Sequence, residues 1–251
     1  MARQTFFLGR LFDIRVGVHV SWLAVYAFMT VALGRALGML PPAEAYVLGA
    51  ACALALFASV VAHELAHALV ARRFGVRTNA ITLFLFGGVA TLEEEPASPR
   101  ADALVAIAGP AMSAAIALAG FELLLGFDRV LPAGSARDAA SLLGTYVVLA
   151  NAVLAAFNIL PAYPMDGGRV LRALLWRRSR DRDAATNAAS RVGMVFALLF
   201  VAAGVFAVAA TRDLTYAWYL LLGAFLLRQG ASHERASRRG PVLEGAPAVA
   251  V

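Results

Sequence analysis

The chain has 251 residues, of which 61% are hydrophobic and only 15% charged, with a mean hydropathy of +0.74. Soluble domains run near half apolar and a quarter charged, so this composition excludes an ordinary soluble globule, a disordered chain and a protein built mainly for nucleic acid. All 22 basic residues are Arg and the net charge is +6, which in a membrane protein reads as basic loops facing anionic headgroups.

A spanning helix needs roughly 20 mainly apolar residues. Arg3, Arg10 and Arg15 lead into a first apolar run at 20–40. No convincing small-residue cleavage site follows, so it is expected to be a retained span. Further runs lie at 46–71, 104–127, 139–160, 192–210 and, shortest, 214–227. Between the second and third, residues 76–92 alternate loosely, carry β-branched side chains and break at Gly87-Gly88. This pattern predicts a β-hairpin, and Glu93-Glu94-Glu95-Pro96 marks its solvated exit. The expected fold class is therefore all-α and polytopic, with about six transmembrane helices and a small membrane-associated β-hairpin between helices two and three. Residues 1–227 are expected to form one membrane domain and 228–251 a disordered cytoplasmic tail.

Six spans place both termini on one side. Eighteen Arg residues fall on that side, and only Arg35, Arg129, Arg137 and Arg212 on the other. The asymmetry predicts a multi-pass protein of the cell membrane with cytoplasmic N- and C-termini. The single Cys52 excludes an internal disulfide and reads as a small buried hydrophobe.

The second run contains His63-Glu64-Leu65-Ala66-His67. Positions i and i+4 share one face of a helix, so the two imidazoles can grip one zinc ion while the Glu between them takes a proton from water. Three ionisable groups in an apolar run mark a functional site, since burying them without partners costs several kcal/mol. His63 lies nine residues before Arg72, about 13 Å inside the cytoplasmic end of the span.

A catalytic zinc wants a third protein ligand and an open fourth position. Cys52 is about 16 Å away along the same helix, and Glu122 belongs to the outer end of span three. His19, at the cytoplasmic start of span one, stays open, with a structural role as its alternative. Asp166 follows span four on the same side as the His pair, in Asn158-Ile159-Leu160-Pro161-Ala162-Tyr163-Pro164-Met165-Asp166-Gly167-Gly168. Its local alternative is a helix cap, and the shared side favours it as the ligand.

The His63–His67 motif in a transmembrane helix, Gly109-Pro110 in the next, and the stretch from Asn158 to Gly168 together resemble the site-2 protease family of intramembrane zinc metalloproteases. The likeness extends to Ala71-Arg72-Arg73-Phe74-Gly75 and Gly87-Gly88-Val89-Ala90, and covers residues 15–215. The resemblance implies one zinc held by His63, His67 and Asp166, with Glu64 as general base and acid. It implies that Asn158 helps position the substrate, and that residues 1–227 form an intramembrane metalloprotease domain. The implied partners are a membrane-spanning protein substrate, the lipid bilayer and a regulatory membrane protein; nucleic acid is not among them. Many members carry a PDZ or CBS domain, for which no room is expected here.

Other features have plainer readings. Gly109-Pro110 is expected to kink span three, residues Leu83 to Phe86 to pack, and the Arg177 to Arg182 cluster to face headgroups. The rival reading of the whole is a non-catalytic metal-binding transporter or adaptor, which would need the ligands but not Glu64.

Overall fold

The computed structural model describes residues 5–84, 87–92, 95–130, 132, 134–213, 217, 219–221, 223, 224 and 227. The sixth apolar run at 214–227 falls largely, and the 228–251 tail wholly, outside the described residues. The same holds for Leu85, Phe86, Glu93 and Glu94. The chain gathers into two compact units, Met1–Ile159 and Leu160–Val251.

The first unit opens with β1 (Thr5–Leu11) and β2 (Ile14–His19), followed by α1 (Val20–Ala36) and α2 (Pro42–Arg73). Then come β3 (Thr78–Phe84), β4 (Gly87–Leu92), α3 (Pro99–Val130) and α4 (Ser135–Asn158). The expected hairpin is present as β3–β4, but the fold is not all-α. β1 and β2 form a second hairpin, and the four strands make one sheet in the order β1-β2-β3-β4. The chain turns between β1 and β2 at Phe12 and Asp13, both with positive φ (52° and 67°).

The join between the hairpins constrains the helices. β2 pairs with β3 in parallel, Arg15 opposite Ala80 and Val18 opposite Leu83. Parallel neighbours need a crossover, and here α1 and α2 supply it: the chain leaves the sheet at the His19 end of β2 and re-enters at the opposite end, at Thr78 of β3. α1 and α2 pack closely because small residues meet: a β-carbon at Gly49 would overlap the Thr30 carbonyl and the Gly34 backbone. The pairing also makes β3 an inner strand, so Thr82 and Leu83 lie between two neighbours and β4 is the outer one.

α2 is apolar nearly all round, as a helix enclosed by neighbours should be. One stripe faces the sheet, with Phe57 against Val18 and Leu83, and Ala68 against Ile14 and Ile81. Its C-terminal end is fixed by glycine. Gly75 sits at φ +81°, the Gly75 N–H donates to the Arg72 carbonyl, and the Val76 N–H reaches back to the Ala71 carbonyl. That is a Schellman cap, complete with its apolar contact between Ala71 and Val76.

Among the described residues, four helices are long and apolar enough to cross a membrane: α2, the Pro99–Gly126 part of α3, α4 and, in the second unit, α6 (Arg182–Thr211). α1 has 17 residues, about 25 Å of helix, and is shorter than the run at 20–40 suggested. The second unit also contains α5 (Asp166–Ser179), which carries Arg169, Arg172, Arg177 and Arg178.

Candidate metal centre

His63, Glu64 and His67 all lie on α2, with both His side chains buried and Glu64 half-buried. The imidazole centroids are 4.8 Å apart at an interplanar angle of 75°, and the ligand nitrogens lie within 4.8 Å of one another. The i, i+4 spacing thus brings both rings to one place, as expected.

What the rings do with their other nitrogens was not legible in the motif. His67 donates Nδ1–H to the Val105 carbonyl of α3 at 2.6 Å, since a carbonyl can only accept. Nε2 then carries the lone pair. His63 Nδ1 lies 2.9 Å from Ser113 Oγ, so this ring too can donate from Nδ1 and coordinate through Nε2. Such outer partners fix the tautomer and orientation of a metal-binding imidazole. Both come from α3, in which Pro110 lacks the N–H that would bond the Ala106 carbonyl.

Gly109 completes the cradle. A β-carbon there would overlap Nε2 of both His67 and His63, so this position needs glycine to leave room at the coordinating atoms. Its role is close approach, in addition to any part in the kink expected of Gly109-Pro110. Two Nε2 donors in one tautomer around a small protected space fit zinc, which takes imidazole nitrogen at about 2.0–2.1 Å.

The remaining candidates separate. His19 is the N-cap of α1: its Nδ1 accepts from the Ser21 N–H at 3.2 Å and lies 2.9 Å from Ser21 Oγ. This is the structural role that stood as its alternative. Cys52 is buried and in no disulfide, and Glu122 is exposed. Asn158 is the last residue of α4, half-buried, and donates from Nδ2 to the Leu154 carbonyl at 3.0 Å.

In the second unit, Asp166 is the first residue of α5 and its side chain is buried. Gly167 and Gly168 are helical, in the first turn of α5. Gly168 serves packing, because a β-carbon would run into the Ala162–Tyr163 backbone. Gly193 of α6 approaches the Tyr163 carbonyl from another direction, and the Arg172 guanidinium lies 5.5 Å from the Tyr163 ring centroid. The segment before Asp166 is thereby held on several sides.

A histidine pair with an intervening carboxylate, on an apolar helix long enough to span a membrane, defines a membrane-embedded zinc metalloprotease class. The model of peptidase family M50 matches residues 51–140 and 131–200. A candidate zinc metalloprotease of Synechocystis is 38% identical over 91% of this chain, and one of Mycobacterium tuberculosis is 38% identical over 90%. The chain spans only 59% and 58% of the lengths of these two relatives. The solved site-2 protease from Methanocaldococcus jannaschii matches with a TM-score of 0.59 and 28% identity, covering 92% of this chain and 95% of that one. The chain belongs to peptidase family M50, the site-2 protease family of zinc-dependent membrane metalloproteases.

Proposed function

We propose that the chain is an intramembrane zinc endopeptidase that cuts a transmembrane segment of a membrane-anchored regulatory protein, as part of regulated intramembrane proteolysis. The observation that carries this reading is the buried His63–His67 pair with both Nδ1 atoms engaged by α3. A transporter or adaptor would need such ligands but has no use for the carboxylate between them.

In this reading His63, His67 and Asp166 hold the metal. Asp166 contributes a carboxylate oxygen and a negative charge, giving a two-nitrogen, one-oxygen set that leaves one position open. Bound zinc supplies a Lewis acid that polarises the scissile carbonyl and acidifies water. Glu64 takes the proton from the attacking water and returns it to the leaving amide nitrogen. Asn158, one N–H already on the Leu154 carbonyl, orients a substrate carbonyl with the other. Residues 1–227 act as one catalytic domain in a multi-pass protein with cytoplasmic termini. Its partners are a membrane-spanning substrate and a membrane protein that regulates its delivery.

The test is a set of variants of the full chain, assayed for zinc content and for cleavage of a transmembrane reporter. Glu64→Gln is expected to keep zinc and lose cleavage, whereas His67→Ala and Asp166→Ala lose both. Full zinc occupancy in Asp166→Ala would remove it from the ligand set. Wild-type cleavage by Glu64→Gln would overturn the mechanism.

A further inference from the structure

One turn before His63 on α2, Ser59 is buried and meets Asn151 of α4, which is fully buried. The Asn151 side chain donates from Nδ2 to Ser59 Oγ at 2.9 Å and to the Val147 carbonyl at 2.9 Å. Ser59 in turn donates to the Ala55 carbonyl at 2.9 Å. Asn151 Oδ1 is buried with no hydrogen-bond partner among the described residues. An unsatisfied acceptor inside an apolar helix bundle is a net cost, so stability alone does not account for this pair. Two apolar side chains would hold the helices together as well or better.

The register of the helices shows what the pair does set. α2 and α3 run antiparallel, since His63 meets Ser113 and His67 meets Val105. α4 folds back on α3, with Gly120 against Val148. α4 therefore runs parallel to α2. Starting from the Ser59–Asn151 contact, His63 and His67 lie about 6 and 12 Å further along α2. Asn158 lies seven residues on from Asn151, about 10 Å along α4 and within about 20° of the same face. One hydrogen bond thus fixes the depth at which Asn158 stands beside the His pair.

We infer that Ser59 and Asn151 are positioning residues, whose hydrogen bond holds α4 in the axial register that brings Asn158 level with the metal-binding histidines. The inference rests on the proposed proteolysis and adds to it the device that aligns the substrate-orienting side chain. An apolar pair would pack but would leave the two parallel helices free to slide.

The decisive variant is Ser59→Ala/Asn151→Leu in the full chain, reconstituted in phosphatidylcholine–phosphatidylglycerol liposomes. The probe is a reporter with one Gly-containing transmembrane segment. Spin labels on Arg73→Cys and Ile159→Cys, in a Cys52→Ala background, report the spacing of the α2 and α4 ends. The double variant is expected to keep its zinc and its Tm, because the unsatisfied acceptor goes with the pair. Its kcat should fall roughly ten- to hundredfold with KM little changed, as misplacement by an ångström does. The label distance should shift or broaden by about 1.5 Å, one residue's rise.

Unchanged kcat would overturn the inference and leave the protease reading standing. So would a fall in kcat at an unshifted distance, because the pair would then act by another route. Loss of zinc together with a lowered Tm would make the pair mere scaffold. A wild-type chain that cuts nothing, while the distance still shifts in the variant, would fail the protease reading and support the register.

Discussion

Gly109 of α3 lies against Nε2 of His67, so closely that a β-carbon would overlap it and Nε2 of His63 as well. The space the metal needs is therefore kept open by a residue that contributes no side chain. Gly109→Ala can be accommodated only by pushing both rings off their Nδ1 partners, a strain of about 1–3 kcal/mol. Zinc affinity should fall roughly ten- to hundredfold, measured by competition with a chelator. Pro110→Ala, which leaves that space untouched, should bind zinc far better than Gly109→Ala. Equal affinities in the two variants would reduce Gly109 to part of a kink.

Ser113 holds His63 from the other side of the ring, 2.9 Å from Nδ1. Removal of such a partner usually costs 10–100-fold in metal affinity or activity, so Ser113→Ala should weaken zinc by about that factor, read by the same competition. Ser113→Thr keeps the hydroxyl and should restore most of the loss. A Ser113→Ala variant with wild-type affinity would mean that packing alone orients His63.

These two residues also show where sequence reading stops. His63, Glu64 and His67 were legible because a local spacing on one helix announces them. Ser113 and the Val105 carbonyl are 50 and 38 residues away, and a backbone carbonyl has no side-chain signature at all. The β3–β4 hairpin was legible from its alternation and its glycines. β1 and β2 were not: Phe6, Phe7, Leu8 and Leu11 are all exposed, so β1 shows no two-residue alternation, and Arg10 of β1 and Arg15 of β2 blend with the charges flanking a first span. The parallel β2–β3 join depends on α1 and α2 folding back, which no local pattern encodes.

Topology can be read directly. The Arg72 guanidinium donates to the Phe12 carbonyl in the turn between β1 and β2 at 3.2 Å, so the end of α2 lies beside the turn that leads into Arg15, in keeping with the expectation that Arg15 and Arg72 share one face of the membrane. Cysteine labelling at Arg3, Arg180 and Arg235 should report the cytoplasm, and at Ser135 the opposite side. An outward report from Arg180 would break the argument that puts Asp166 on the same side as His63.

A helical substrate is expected to unwind before it is cut. A peptide bond in a helix is shielded by its own hydrogen bonds, and unwinding it in lipid strands polar groups at several kcal/mol each unless something pairs them. The outer strand of the sheet offers such pairing with little demand on side-chain identity. In the β3–β4 hairpin that strand is β4, because Thr82 and Leu83 of β3 already have neighbours on both sides, while β1 forms the sheet's other edge. In an antiparallel ladder, alternate residues point their N–H groups inward and outward, so Val89 and Ala90 sample the two directions. Proline at the outward position removes a donor from the free edge and should slow cleavage while zinc stays bound. Proline at the inward one breaks the pairing with β3 and should also lower Tm. A Gly-containing substrate segment should be cut faster than a Leu-rich one, since it opens more easily. If both segments were cut at the same rate, unwinding would not limit the reaction. If neither proline affected cleavage, β4 would be a packing element only.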